Sequence, residues 1–217
     1  MINVNFSRYI GMNYLTAYLF IVTSGYYITR LPLSPIYFFM VFSLFLFSIR
    51  VLIIREFLVN KILLIPVCYV FYLMIFQIIN EGKISASINQ IMSISYFPIA
   101  FLMLKPLPLN KIILISKRTI QFSLPLLIVE AYFRLMNPIW QPSEFVDYNT
   151  ENLFFYAFKI NSIMYLDSNF VAIFILILFF FTLYLKNSYN EPLRYERMFL
   201  FMLAIATISR AVIIVII

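Results

Sequence analysis

From Ser168 to Leu185 the chain runs without a single charged side chain, and nearly every position is Ile, Leu, Phe, Val or Ala. A helix rises ~1.5 Å per residue and the hydrocarbon core of a bilayer is ~30 Å thick, so a run of about this length reads as a membrane crossing. Six further apolar stretches punctuated by polar residues give candidate spans at 9–28, 32–49, 62–80, 86–104, 119–137 and 198–217, with 168–185 the sixth in order. Composition supports the same conclusion: 64% of residues are apolar and 12% charged, against roughly 45–50% and about 25% in a soluble domain. The chain cannot cover itself with polar surface. The expected architecture is all-α, a polytopic transmembrane bundle of about seven spans forming one integral-membrane domain over residues 1–217. Its loops are short except for an outer one at 138–167, and no separate soluble catalytic domain fits.

The fourth span is the least apolar, opening on Ser85, Ser87, Asn89 and Gln90 and containing Pro98, while Pro125 lies within the fifth. Proline inside a crossing helix is tolerated where neighbours satisfy the freed carbonyl, so both are expected to bend their helices rather than end them. The first apolar stretch is long and lacks a small-residue cleavage site, so it reads as an uncleaved span. Alternate connections hold Arg8, then Arg50, Arg55 and Lys61, then Lys105, Lys111, Lys117 and Arg118, then Lys186, Arg194 and Arg197, eleven basic residues in all. The intervening connections hold three, Arg30, Lys83 and Lys159. Basic residues near span ends stay in the cytoplasm, which predicts a cytoplasmic N-terminus. The net charge of +7 is thereby a topology signal, and nucleic-acid binding has no place in the reading.

With three glycines and no histidine, glycine-rich phosphate loops and His-metal chemistry are disfavoured. No metal or other cofactor is expected. Cys68, the single cysteine, cannot form an intrachain disulfide and reads as a small core residue. Charged groups at membrane depth cost ~2.5–3.5 kcal/mol to insert, so each is a candidate for function. Glu130 and Arg134 stand at i and i+4 in the fifth span, acid first, and are expected to pair. Arg134 then serves either as an interfacial anchor or as an anion ligand near the outer face. Arg210 falls about 18 Å along the seventh span from its cytoplasmic end, with no acid in that span; an interhelical ion pair and an anionic ligand are its two readings. Asp167, Ser168 and Asn169 stand at the outer entrance of the sixth span, where a helix N-cap and a substrate contact are both open. Two arginines at one depth suit a phosphate, which guanidinium grips by parallel hydrogen bonds. A transported anion is the competing ligand.

The segment Met164-Tyr165-Leu166-Asp167-Ser168-Asn169-Phe170-Val171-Ala172, followed by a long apolar span, resembles the Asp-Pro-Asn-Phe-type span entrance of the O-antigen polymerase and ligase superfamily. Ala206-Thr207-Ile208-Ser209-Arg210-Ala211 resembles that superfamily's Thr-x-Ser-Arg-Gly/Ala motif. The resemblance implies a multi-pass protein of the bacterial inner membrane that polymerises oligosaccharide units carried on undecaprenyl diphosphate at the periplasmic face, in lipopolysaccharide or capsule synthesis. It implies Arg210 at the leaving diphosphate, with Arg134 a second candidate resting on depth. Asp167, Asn169 and Ser209 are implied as substrate-binding or orienting groups, with no cofactor. A flippase and a chain-length regulator are the implied partners. The family carries further spans and a large periplasmic loop after the Ser-Arg span, so the chain reads as an N-terminal portion. A flippase or other anion transporter, and an inactive truncated polymerase, are the alternatives.

Overall fold

The computed structural model describes residues 3–31, 34–54, 96–139, 157–165 and 167–209, with 68, 69, 72, 75, 76 and 212. Helix α1 spans Asn3–Val22 and runs into a 3₁₀ turn, Thr23–Gly25. Helix α2 spans Pro35–Ile54, with proline at the first helical position, where its missing N–H has no intrahelical partner to lose. Residues 96–104 are helical, and α3 spans Leu109–Met136, α4 Ser168–Tyr189 and α5 Arg194–Ala206. The described residues contain no strand and are all-α. Among the described residues two helices, α3 and α4, are long and apolar enough to cross a membrane. The expected span at 62–80, the first part of 86–104 and the end of 198–217 lie largely outside the described residues.

Several boundaries shift from the expected spans for local reasons. Helix α3 begins ten residues before 119, because the turn at Pro106 and Pro108 delays it only to Leu109; Lys111, Lys117 and Arg118 belong to its first turns. It then passes through Pro125 unbroken. One turn earlier, the Phe122 carbonyl accepts the Tyr26 hydroxyl at 2.8 Å. The last expected span is interrupted: α5 stops at Ala206, Thr207 turns its hydroxyl back onto the Ala204 carbonyl at 2.7 Å, and Ile208 adopts φ 55°. A β-branched residue in the left-handed region is rare and cannot continue a right-handed helix. Cys68 is exposed rather than packed in a core.

The chain forms two compact units. The first comprises Met1–Ile21 and Val41–Ile112; in it Phe20 stacks on Tyr96 with ring centroids 4.7 Å apart, and the Lys111 ammonium sits 5.0 Å from the Tyr14 ring centroid. The second comprises Val22–Met40 and Ile113–Ile217 and holds α4, α5 and most of α3. Helix α4 ends at Tyr189; Asn190 follows with φ 54°, which turns the Glu191 N–H back onto the Leu185 carbonyl at 3.3 Å, a left-handed cap that asparagine tolerates. Pro192 follows and keeps the helix from resuming at once. Past this turn α5 doubles back on α4, so that Ser168, at the start of α4, donates to the Thr207 carbonyl at the end of α5 at 3.2 Å.

Helix α4 buries Val171, Ile175, Leu178, Thr182 and Leu185 on one stripe at helical spacing, with Leu200, Leu203 and Ala204 of α5 in the same core. Its opposite stripe, Phe170, Ile173, Ile177, Phe180 and Tyr184, is as apolar and is exposed. A helix apolar on every side suits a lipid neighbour. Segments approach closely at Gly25, where an added Cβ would stand 2.7 Å from Ser123 Oγ and 3.0 Å from the Phe174 ring. Gly25→Ala is therefore expected to destabilise by about 1–3 kcal/mol through overpacking. Thermal unfolding in detergent checks this, and adding Ser123→Gly, which removes the nearer atom, is expected to return part of the loss.

Candidate functional site

The polar groups of the second unit gather at two ends. Near the start of α3, Lys117 pairs with Glu191 at 3.0 Å and Gln121 donates to Glu196 at 2.8 Å, tying α3 to the α4–α5 turn. Arg134 lies 17 positions after Lys117, about 25 Å along the helix at ~1.5 Å per residue. Around it the ends of α3 and α5, the start of α4 and residues 157–165 converge.

Asp167 is the N-cap of α4, in extended conformation, with Oδ1 accepting the Asn169 N–H at 2.8 Å. Its Oδ2 accepts the Asn169 side-chain amide at 2.9 Å. A carboxylate only accepts, so Asn169 must turn its NH₂ to Asp167 and its oxygen away. That oxygen accepts the Ser209 hydroxyl at 2.8 Å. Asp167 therefore caps the helix and orients Asn169, and through it Ser209. This link and the Ser168 to Thr207 bond join two segments about forty residues apart in sequence. Arg210 lies outside the described residues.

Arg134 and Glu130 form the expected pair, Nε to Oε1 at 3.0 Å, and both are essentially unexposed, at 0% and 1%. Guanidinium Nη1 also donates to the Phe158 carbonyl at 3.0 Å and Nη2 to the Ala206 carbonyl at 2.7 Å. The last carbonyls of a helix lack intrahelical partners and carry partial negative charge, so a buried cation at the α5 terminus is favourably placed. Arg134 does not reach outward as an interfacial anchor; it holds three segments together from within. Glu130 Oε2 has no hydrogen-bond partner among the described residues. Ser162 adjoins the carboxylate, and its Oγ accepts the Met164 and Tyr165 N–H groups at 3.3 Å each.

The segment 157–165 supplies residues that sequence reasoning did not single out. Lys159, Asn161 and Ser162 are buried. The Lys159 carbonyl accepts the Ser168 N–H at 3.0 Å, Asn161 Nδ2 donates to the Asn137 carbonyl, and the Ile163 carbonyl accepts the Thr29 N–H at 3.0 Å. Only the polar run Lys159-Ile160-Asn161-Ser162 ahead of an apolar span hinted at this role. Tyr27, Tyr165 and Phe170 add a ring cluster here, with centroids 5.5 and 6.5 Å apart. Burial, and then neighbouring Tyr27, raise the Tyr165 phenol above its ordinary pKa, keeping it neutral. Among the described residues no group of three metal-ligating side chains occurs.

Comparison with protein-family models, with curated proteins and with solved structures finds no match to the chain.

Removing one partner of the buried ion pair leaves the other uncompensated, so Arg134→Met is expected to cost about 3–5 kcal/mol. A thermal melt of the purified protein checks it. The double variant Glu130→Gln/Arg134→Met is expected to be less harmed than the sum of its single changes. Arg134→Lys is expected to rescue little, because an ammonium cannot present the guanidinium fork to three separated acceptors.

Proposed function

We propose that this chain is a multi-pass protein of the bacterial inner membrane, with about seven spans and a cytoplasmic N-terminus, that polymerises undecaprenyl-diphosphate-linked oligosaccharide units at the periplasmic face. The observation that carries the reading is the hydrogen-bonded junction of Asp167, Asn169 and Ser209. It joins the two sequence segments that resemble the polymerase and ligase superfamily, at the end of the unit opposite Lys117, Lys186, Arg194 and Arg197. The exposed apolar stripe of α4 supports the membrane setting, as do the exposed Phe122, Ile128, Val129, Tyr132 and Leu135 of α3.

In the proposed reaction a sugar hydroxyl of the acceptor unit attacks the anomeric carbon of the donor chain. The bond from that carbon to the diphosphate oxygen breaks, and the lipid diphosphate leaves with the electron pair while the hydroxyl proton is lost. Charge grows on the leaving oxygen, so a preorganised guanidinium there lowers the barrier. Arg210, next in sequence to Ser209, is assigned that role, with Asp167 and Asn169 as the substrate-orienting groups. Arg134 is a positioning residue that acts through the Ala206 and Phe158 carbonyls. A second reading, a flippase for the same lipid-linked units, draws support from the break after Ala206, since discontinuous crossing helices commonly form transport sites.

Complementation of a polymerase-null strain, read as the length ladder of surface polysaccharide, separates the readings. Restoration of a modal ladder is expected, with Arg210→Ala lowering polymer output by roughly 10²–10³-fold and Asn169→Ala lowering it less. A ladder of single units from the unaltered chain overturns the polymerase reading for it; failure of lipid-linked units to cross in its absence favours the flippase. Topology is checked in a Cys68→Ala background: a cysteine at Leu31 is expected to react with an impermeant maleimide in intact cells, and one at Ser188 only after permeabilisation.

A further inference from the structure

The loop between the 3₁₀ turn and α2 is pinned at several points. The Tyr26 hydroxyl donates to Phe122, the Thr29 N–H to the Ile163 carbonyl, and the Ser34 hydroxyl to the Tyr26 carbonyl, while Ser34 Oγ accepts the Ile28 N–H. On this anchored loop stands Arg30. Its guanidinium lies 4.8 Å from the centroid of the Phe133 ring, and Nη2 donates to Asn161 Oδ1. Asn161 is itself only 5% exposed and is held by the Asn137 carbonyl just beyond α3. An exposed cation is thus aimed by a buried amide and rests on an aromatic face.

This arrangement differs from that of Arg134, whose guanidinium is wholly buried against protein oxygens. Arg30 remains open to solvent, and among the described residues no carboxylate lies within ion-pair distance of it. Its position in the chain adds a second reason. On the proposed topology it is one of three basic residues in outer connections, where orientation gives no cause to keep a positive charge. A guanidinium held in a fixed plane, with N–H groups to spare, matches a phosphate oxygen pair.

We propose that Arg30 binds the diphosphate of the lipid-linked substrate, with Asn161 as its positioning residue. This rests on the polymerase reading for the identity of the lipid, but the anion site itself belongs to Arg30, Phe133 and Asn161.

The test is equilibrium binding of radiolabelled undecaprenyl diphosphate, without sugar, to the purified full chain in detergent, with inorganic pyrophosphate as competitor. Arg30→Gln is expected to weaken binding by about 10–100-fold, the size of a lost charge-assisted contact. Arg30→Lys is expected to fall between the two, and Asn161→Ala to weaken binding while leaving Arg30 in place. Melting curves establish that each variant is folded. If the unaltered chain binds the lipid and both Arg30 variants bind within twofold of it, the inference is overturned and the polymerase reading stands. Arg30-dependent binding of pyrophosphate without binding of the lipid upholds the anion site and overturns the lipid-linked substrate. Binding of neither overturns both.

Discussion

A guanidinium sealed from solvent must find oxygen for its N–H groups, and the upper end of the second unit is arranged around meeting that demand for Arg134. Glu130 supplies a charge from the same helix, and Phe158 and Ala206 supply backbone carbonyls from two other segments. Burying an ion pair gains little net stability by itself, but breaking one is costly. The arrangement therefore acts chiefly as a constraint on geometry. The end of α5 cannot move away from the end of α3 without leaving a charge unsatisfied.

The same constraint shapes the neighbouring junction. Helix α5 must stop at Ala206 for its carbonyl to be free for Arg134, and the turn that follows exposes the Thr207 carbonyl to Ser168 and swings Ser209 to Asn169. Non-helical backbone in an apolar setting is tolerated only where protein or an aqueous cavity satisfies it. Here Arg134 and Ser168 do so from two sides. The broken helix, the capped start of α4 and the buried ion pair are one connected structure.

The long apolar runs made α4 and the part of α3 from 119 onward legible, since a charge-free run at 168–185 and an apolar stretch of nearly equal length need no tertiary information. The i,i+4 spacing of Glu130 and Arg134 and the capping position of Asp167 were legible for the same reason: each is a local pattern. The carbonyl partners of Arg134 were not, because a backbone acceptor leaves no trace in residue identity. The break after Ala206 was hidden in a run that is apolar to Ile217 apart from Thr207, Ser209 and Arg210, with neither glycine nor proline to mark it. Arg30 is read from the sequence only as one of three basic residues in the outer connections, and nothing in the sequence marks Asn161 as its partner. Their relation spans 131 positions and arises only when residues 157–165 fold back beside the loop ahead of α2.

The partners of Arg134 are also separated in time. Glu130 lies one turn away and can neutralise it as soon as α3 forms, so that the part of α3 after Arg118 carries no net charge. Phe158 follows 24 positions later and Ala206 72 positions later, a delay of roughly 4–14 s for the second at ribosomal speeds of about 5–20 residues per second. During that interval the guanidinium lacks two of its three acceptors. The incomplete site is thus a receptor for the chain still being made, and it favours docking of the end of α5 beside α3.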